Sequence, residues 1–266
     1  MPAHIKRTAA ADQNSIAQQT CFAPEAEPAT IAKLITPPNS SASGTENLVA
    51  QLKDQRKLLF ANIKLAKMSD KEILNHQLKN KNLELHASGR LQDRHKRLLR
   101  QVVIKSNEAS ENDNWLQHSL VAKGSALVYA LPTSYLCAPI LLAAERKARL
   151  KKRGQWAEGG SFIIHEASDL QTLNSLKQGS FHLVRGQLKA VAIKSRLTYL
   201  NFSDNWRKDF TAIIESRLLR RKDSRWPKLK QLVGKNLIMR GWIDHWNGPM
   251  IRLETPEMLM LDEQKK

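Results

Sequence analysis

Cysteine is scarce: the 266 residues hold two, Cys21 and Cys137. Two cysteines cannot build a disulfide framework, and this pair lacks the close spacing of a zinc site. A single bridge between Cys21 and Cys137 and a pair of free thiols both stay open. A bridge would close a long loop and contribute on the order of 4 kcal/mol in an oxidising compartment. Long apolar runs are also missing, and nothing approaches the roughly 20 residues that a membrane helix needs. The first thirty residues contain no stretch suited to the core of a secretory signal. Localisation stays open: periplasmic or secreted if the numbering begins after a removed leader or at a misassigned Met1, otherwise cytoplasmic. Acidic residues are few, 25 against 43 Lys and Arg, which leaves a formal charge of +18. Residues 1–156 hold 24 basic and 13 acidic residues and 157–266 hold 19 and 12, so the excess is not a tail. Charge of this size favours phosphate backbones or anionic membrane surfaces as partners, with an acidic protein a further option, and does not by itself choose between them.

The length suits two domains of ordinary size. Residues 1–28 are polar with no sustained period and read as a flexible arm. Over 29–156 the pattern predicts strands at 29–35, 48–52, 57–65, 83–87 and 98–105. Helices are predicted from Ser69 to Lys79, where Ser69 and Glu72 have capping-box spacing, and from Asn114 to Lys123. A third helix over 136–153 carries Ile140, Leu141, Ala144 and Ala148 on one face and a basic run at its end. Gly124 is suited to the left-handed position that closes the second helix, and Gly154 ends the third. Gly159-Gly160 and the polar residues up to Gln178 read as a linker, 157–178. A second domain, 179–262, then shows a long strand over 181–194 with Gly186 as a bulge, strands at 198–202 and 210–215, a helical stretch over 217–233, and strands at 236–244 and 249–254. Three strands, a helix and two strands is the order of an OB barrel. The expected class is therefore mixed β-barrel plus helices (α+β), with two tandem OB-fold barrels.

Trp115-Leu116-Gln117, Leu120, Gly124-Ser125-Ala126, Leu141-Leu142, Glu145, Ala148-Arg149 and Trp156 together resemble the C-terminal part of staphylococcal-nuclease-like (thermonuclease) domains. Upstream, Asp54-Gln55-Arg56, Leu59 to Lys67 and Asp93-Arg94-His95-Lys96-Arg97 fall where that family has its hairpin turn, third strand and basic catalytic strand. Gly179-Ser180-Phe181, Tyr199-Leu200-Asn201-Phe202 and Arg240-Gly241-Trp242 look like a second module found after this domain in some bacterial relatives. The resemblance implies a metal-dependent phosphodiesterase, which needs carboxylates for a hard cation, arginines for the phosphate and a general base.

Residue by residue, that machinery is not matched. The metal loop falls on Thr36-Pro37-Pro38-Asn39, the first catalytic arginine on Leu59, and the second metal ligand and the base on Lys64-Leu65-Ala66-Lys67, where lysines would repel a divalent cation. Arg97 alone matches a catalytic position, and it reads either as a solvated strand-end arginine or as a retained phosphate contact. Asp54 reads as a turn former. His76, His86, His95, His118, His165, His182 and His245 are scattered without a metal-ligand repeat, so no metal and no cofactor is expected.

Nucleic-acid-binding candidates are Arg94, Lys96 and Arg97 in the first domain and Lys194, Arg196, Tyr199, Trp206, Arg207 and Lys208 in the second, where OB folds stack bases and track phosphates. Tyr199 and Asn201 should point away from Leu200 and Phe202, which would be core. Arg217, Arg220, Arg221, Lys222, Arg225, Lys228 and Lys230 read as a solvated basic face. The expected function is a non-catalytic nucleic-acid-binding or interaction protein. A residual endonuclease and an envelope or assembly protein that binds another protein stay open.

Overall fold

The computed structural model describes residues 21, 23, 25–35, 45–66, 71–106, 113–205, 208–222 and 224–262. The fold is mixed α+β, and the chain divides into two compact units, one ending at Ser161 and the other beginning at Phe162.

Unit 1 contains β1 (Ala26–Ala29), β2 (Ile31–Ile35), β3 (Thr45–Glu46), β4 (Val49–Leu52), β5 (Lys57–Phe60), β6 (Ile63–Ala66), α1 (Lys71–Leu78), β7 (Leu83–His86), β8 (Leu98–Ile104), β9 (Asn114–Trp115), α2 (Leu116–Ala122), β10 (Ala126–Val128) and α3 (Ala138–Leu150). The main sheet runs β1-β7-β8-β5-β4-β2, antiparallel except where β5 lies parallel to β8. A second sheet runs β10-β6-β3. The expected strand over 57–65 is broken at Ala61-Asn62, where Asn62 takes φ +64 and turns the chain from one sheet to the other. Inward residues of the strands, among them Leu52, Leu58, Phe60 and Leu83, join Leu74 and Leu78 of α1 and Leu141 of α3 in one buried core. Pro139 sits in the first turn of α3, where a missing N–H leaves no helix bond unmade. Gly124 has φ +76, and a Cβ there would lie 2.1 Å from the Arg153 carbonyl oxygen, so the ends of α2 and α3 meet through a residue without a side chain.

The arm expected over 1–28 is not an arm at its C-terminal end. β1 pairs with β7, Ala23 N–H donates to Ala87 O at 3.0 Å, and Cys21 is disulfide-bonded to Cys137 with a Cα–Cα distance of 4.9 Å. Backbone pairing at a sheet edge needs no apolar alternation, and Pro28 is tolerated on an edge strand, so the composition of this stretch conceals it. Ser69, the expected helix cap, lies outside the described residues.

Unit 2 contains β11 (Ile164–Glu166), α4 (Leu170–Ser175), β12 (Phe181–Gln187), β13 (Ala190–Ile193), β14 (Leu197–Asn201), β15 (Thr211–Glu215), α5 (Ser216–Arg220), β16 (Asn236–His245), β17 (Pro249–Leu253) and β18 (Leu259–Leu261). Its sheet runs β11-β12-β16-β17-β15-β14-β13, with β18 on β16. The expected linker thus contains a strand, parallel to β12, and a helix capped by the Asp169 carboxylate on Thr172 N–H at 3.1 Å. Gly186 is not a bulge: it keeps register with Leu237, and the long strand instead breaks at Leu188-Lys189. Glycine is needed there because a Cβ would lie 2.7 Å from the Ala167 Cβ and 3.0 Å from the Phe202 ring. The helical stretch expected over 217–233 shrinks to α5 and a single 3-10 turn at Leu229–Leu232. Pro227 interrupts it, since the residue before a proline is driven to extended backbone.

Candidate nucleic-acid interface

In unit 1 the positions that the resemblance assigns to catalysis are filled by other chemistry. Leu59 belongs to a small apolar cluster with Val49 and Leu99, against which Ile35 and Leu131 pack. Lys64 is 2% exposed on β6, its Nζ 3.2 Å from Asn47 Oδ1 and 5.4 Å from the centre of the Tyr129 ring. A buried ammonium there supplies an internal positive charge where the nuclease scheme wants a carboxylate. Residues 36–39 and Lys67 lie outside the described residues.

Arg97 is held by its own turn. Asp93 accepts from Arg97 N–H at 2.9 Å and from Arg97 Nε at 2.7 Å, while Arg97 Nη2 lies 2.5 Å from the same carboxylate. Burial pushes the Asp93 carboxyl up, but the hydrogen bonds and charge of Arg97 outweigh it and hold the group below its usual value. Lys96 takes φ +59 in this turn, and Arg94 Nε lies 3.1 Å from His95 Nε2. Asp54, at the β4–β5 hairpin, is paired with Arg56.

Unit 1 also holds a buried polar set. Gln101 Nε2 donates to Asn62 Oδ1 at 2.8 Å, Trp115 Nε1 donates to Gln101 Oε1 at 3.0 Å, and Ser134 Oγ bonds Asn62 Oδ1 at 3.1 Å and Ser88 Oγ at 2.7 Å. These bonds satisfy groups that would otherwise be costly to bury.

Of its candidates unit 2 places Tyr199 on a sheet face and Lys194, Arg196 and Lys208 in the connections at its ends. Leu200 and Phe202 are buried while Tyr199 and Asn201 are half-buried, as strand alternation predicts. Tyr199, Ile213 and Arg252 form one cross-strand row over β14, β15 and β17, and Leu197 and Glu215 form the next. At that end the β13–β14 turn brings in Lys194 and Arg196, both exposed. Glu215 holds two arginines, Arg217 Nε at 2.5 Å and Arg252 Nη1 at 3.5 Å, and Arg220 Nη2 donates to Ser195 O at 3.1 Å. The opposite end of the face carries Lys208 and Trp246, the latter 75% exposed in the β16–β17 turn. Lys194 and Arg196 are thus separated from Lys208 by the length of β14, roughly 13 Å at the usual strand rise. Trp206 and Arg207 lie outside the described residues.

Arg252, Glu215 and Trp246 are members of this face that sequence reasoning did not select, and Arg217 and Arg220 it read as part of a solvated basic run. Arg252 had a faint signal, a lone charge inside the apolar strand 249–253. Its approach to Glu215 depends on β15 lying parallel to β17, which no short-range pattern reveals.

Residues 54–158 match the family described as staphylococcal nuclease homologue. No curated protein matches the chain.

Proposed function

We propose that this chain, which carries a staphylococcal-nuclease-like domain over residues 54–158, is a non-catalytic nucleic-acid-binding protein whose binding face lies on unit 2. The observation that carries the reading is the row of arginines beside Tyr199: Arg196, Arg217, Arg220 and Arg252 meet at one end of β14–β15–β17, with Lys208 and the exposed Trp246 at the other. A single strand crossing that face would meet cations at both ends and aromatic surfaces for its bases. In unit 1, Leu59 in an apolar cluster and the buried Lys64 weigh against phosphodiester hydrolysis. Each unit is read as an OB fold, within proposed limits of 29–156 and 179–262. In unit 1 the path of strand pairing begins and ends on two consecutive strands, β1 and β2; in unit 2 it ends on β13 and carries β12 one step inside its other end, next to β11.

Binding of labelled single-stranded DNA and RNA, followed by fluorescence anisotropy from about 50 to 200 mM salt, tests the proposal. Affinity should fall steeply as counterions are retained, and Arg252→Ala should weaken binding and reduce the salt slope by about one. Absence of binding at low salt, or binding that ignores salt, overturns it. Metal-dependent cleavage of DNA or RNA that disappears on Arg97→Ala overturns the non-catalytic part.

A further inference from the structure

The arginine end of this face is an open cleft of about 460 Å³ with Leu197 in its lining. Four guanidiniums line it against one carboxylate, an excess of three positive charges. The carboxylate is not turned against an incoming anion: Glu215 Oε2 is taken by Arg217 and Oε1 by Arg252, so it fixes two guanidiniums in place. Ser195 O fixes a third through Arg220 Nη2. Among the described residues the Arg196 side chain has no protein partner, which leaves one complete guanidinium fork at the mouth. Planar forks held by fixed acceptors lose little freedom when they bond phosphate oxygens, and their geometry suits bidentate recognition. No aromatic side chain lines the cleft, so it offers a base nothing to stack on.

We infer that this cleft seats the terminal phosphate of a nucleic-acid strand, a phosphomonoester, in preference to the phosphodiesters along the strand; the inference rests on the function proposed above. The charge balance makes the choice. An internal phosphodiester carries one negative charge, whereas a phosphomonoester carries about −1.5 to −2 at neutral pH and neutralises more of the excess. A terminal group also carries three oxygens free to accept from several forks at once. The strand would lead from this seat across Tyr199 toward Trp246.

The test compares oligonucleotides of one sequence with a 5′-phosphate, a 3′-phosphate or hydroxyl groups at both ends, by anisotropy at fixed salt. One phosphorylated end should bind roughly ten-fold tighter than the hydroxyl form. Arg196→Ala and Arg252→Ala, both at exposed positions, should abolish that preference while keeping the wild-type melting temperature. Equal affinity for all three oligonucleotides, with the arginine variants weakening each alike, sinks the terminal-phosphate assignment and leaves the nucleic-acid reading standing. If no oligonucleotide binds, yet inorganic pyrophosphate raises the melting temperature of the wild type and not of Arg196→Ala, the strand reading falls and the anion seat survives. Failure of both the oligonucleotides and pyrophosphate removes the two together.

Discussion

The two units use one strand order for different purposes. In unit 1 the path is β2-β4-β5-β8-β7-β1 and in unit 2 it is β13-β14-β15-β17-β16-β12 with β11 added parallel to β12; β5 with β8 and β15 with β17 are parallel at the same step. In unit 2 the β13–β14 turn, the end of β15 and Arg252 of β17 come together. That meeting point is the Arg196–Glu215–Arg252 cleft. In unit 1 the third strand instead presents Leu59 to an apolar cluster, and Lys64 turns its charge inward to Asn47 and Tyr129. The shared strand order carries an exposed cationic site in unit 2 and an apolar cluster on the third strand in unit 1. Strand order fixes where side chains can meet, and the side chains at those places decide the chemistry.

The largest way to separate the units is through their covalent difference. The Cys21–Cys137 bridge spans 116 residues of unit 1, and unit 2 contains no cysteine. Removing it with Cys137→Ala should destabilise unit 1 by about 4 kcal/mol and leave unit 2 unchanged. Scanning calorimetry should show one transition moving down by ten degrees or more and the other staying in place. A common shift would mean that the units unfold together and that the contrast is one of architecture only. A smaller effect is expected at the buried polar set of unit 1. Gln101→Leu takes from Trp115 Nε1 its Gln101 acceptor and from Asn62 Oδ1 one of its donors, at a cost of about 2 kcal/mol in a denaturant titration. A cost near zero would show that the site tolerates an apolar filling.

How much of this was readable from residues alone follows the range of the interactions involved. Local alternation carries the strands at 198–202, 236–244 and 249–254 and the sorting of Leu200 and Phe202 from Tyr199 and Asn201, but the expected order of three strands, a helix and two strands becomes β11 to β15 before α5 and β16 to β18 after it. Gly124 was legible because a left-handed helix end asks for glycine, and Gly154 as the residue that ends a helix. β11 was hidden in an apparent linker because a parallel pair needs no adjacent turn to announce it, and β1 because an edge strand needs little apolar content. The helix expected over 217–233 failed at a visible proline, where a charge-rich run outweighed the correct stop signal. In the candidate site Arg196 was legible as a basic turn. Arg252 was not, since only the register of β15 against β17 brings it to Glu215.

Acid should sharpen the contrast in a third way. His182 Nδ1 lies 3.1 Å from His165 Nε2 and His182 Nε2 lies 2.8 Å from Ser180 Oγ. Burial and the charge of His165 lower His182 to about 4, and burial lowers His165 against the pull of Asp169. A histidine lowered in the folded state is protonated more readily when unfolded, so its neutral form favours folding above pH 6.5 and that advantage is lost as pH falls toward 4. With both imidazoles partly exposed, the loss in unit 2 should be about 1–2 kcal/mol once solvent screening is allowed for. In unit 1 His118 is lowered by burial and by Lys147 and gives a drop of the same sign from one imidazole, while Asp93, held low by Arg97, begins to count only below pH 3.8. Melting curves between pH 7 and 4 should show the unit 2 transition falling further, and His182→Gln should flatten that fall. An equal fall in both units, or a His182→Gln protein with an unchanged profile, removes the histidine pair as its cause.

The smallest expected effect tests whether the nuclease-like unit keeps any part in binding. The Arg97 guanidinium is tied to Asp93 by Nε and Nη2, so a phosphate would have to displace a carboxylate that is already in place and half-buried. Arg97→Ala should therefore change strand affinity less than two-fold while lowering the stability of unit 1 by about 1 kcal/mol, since a close charge-assisted pair is worth that much. Arg252→Ala should do the reverse, weakening the strand and leaving both melting transitions alone. If Arg97→Ala weakens binding as strongly as Arg252→Ala does, Asp93 is releasing its partner to the ligand, and the contrast between a filled unit and an open one has to be abandoned.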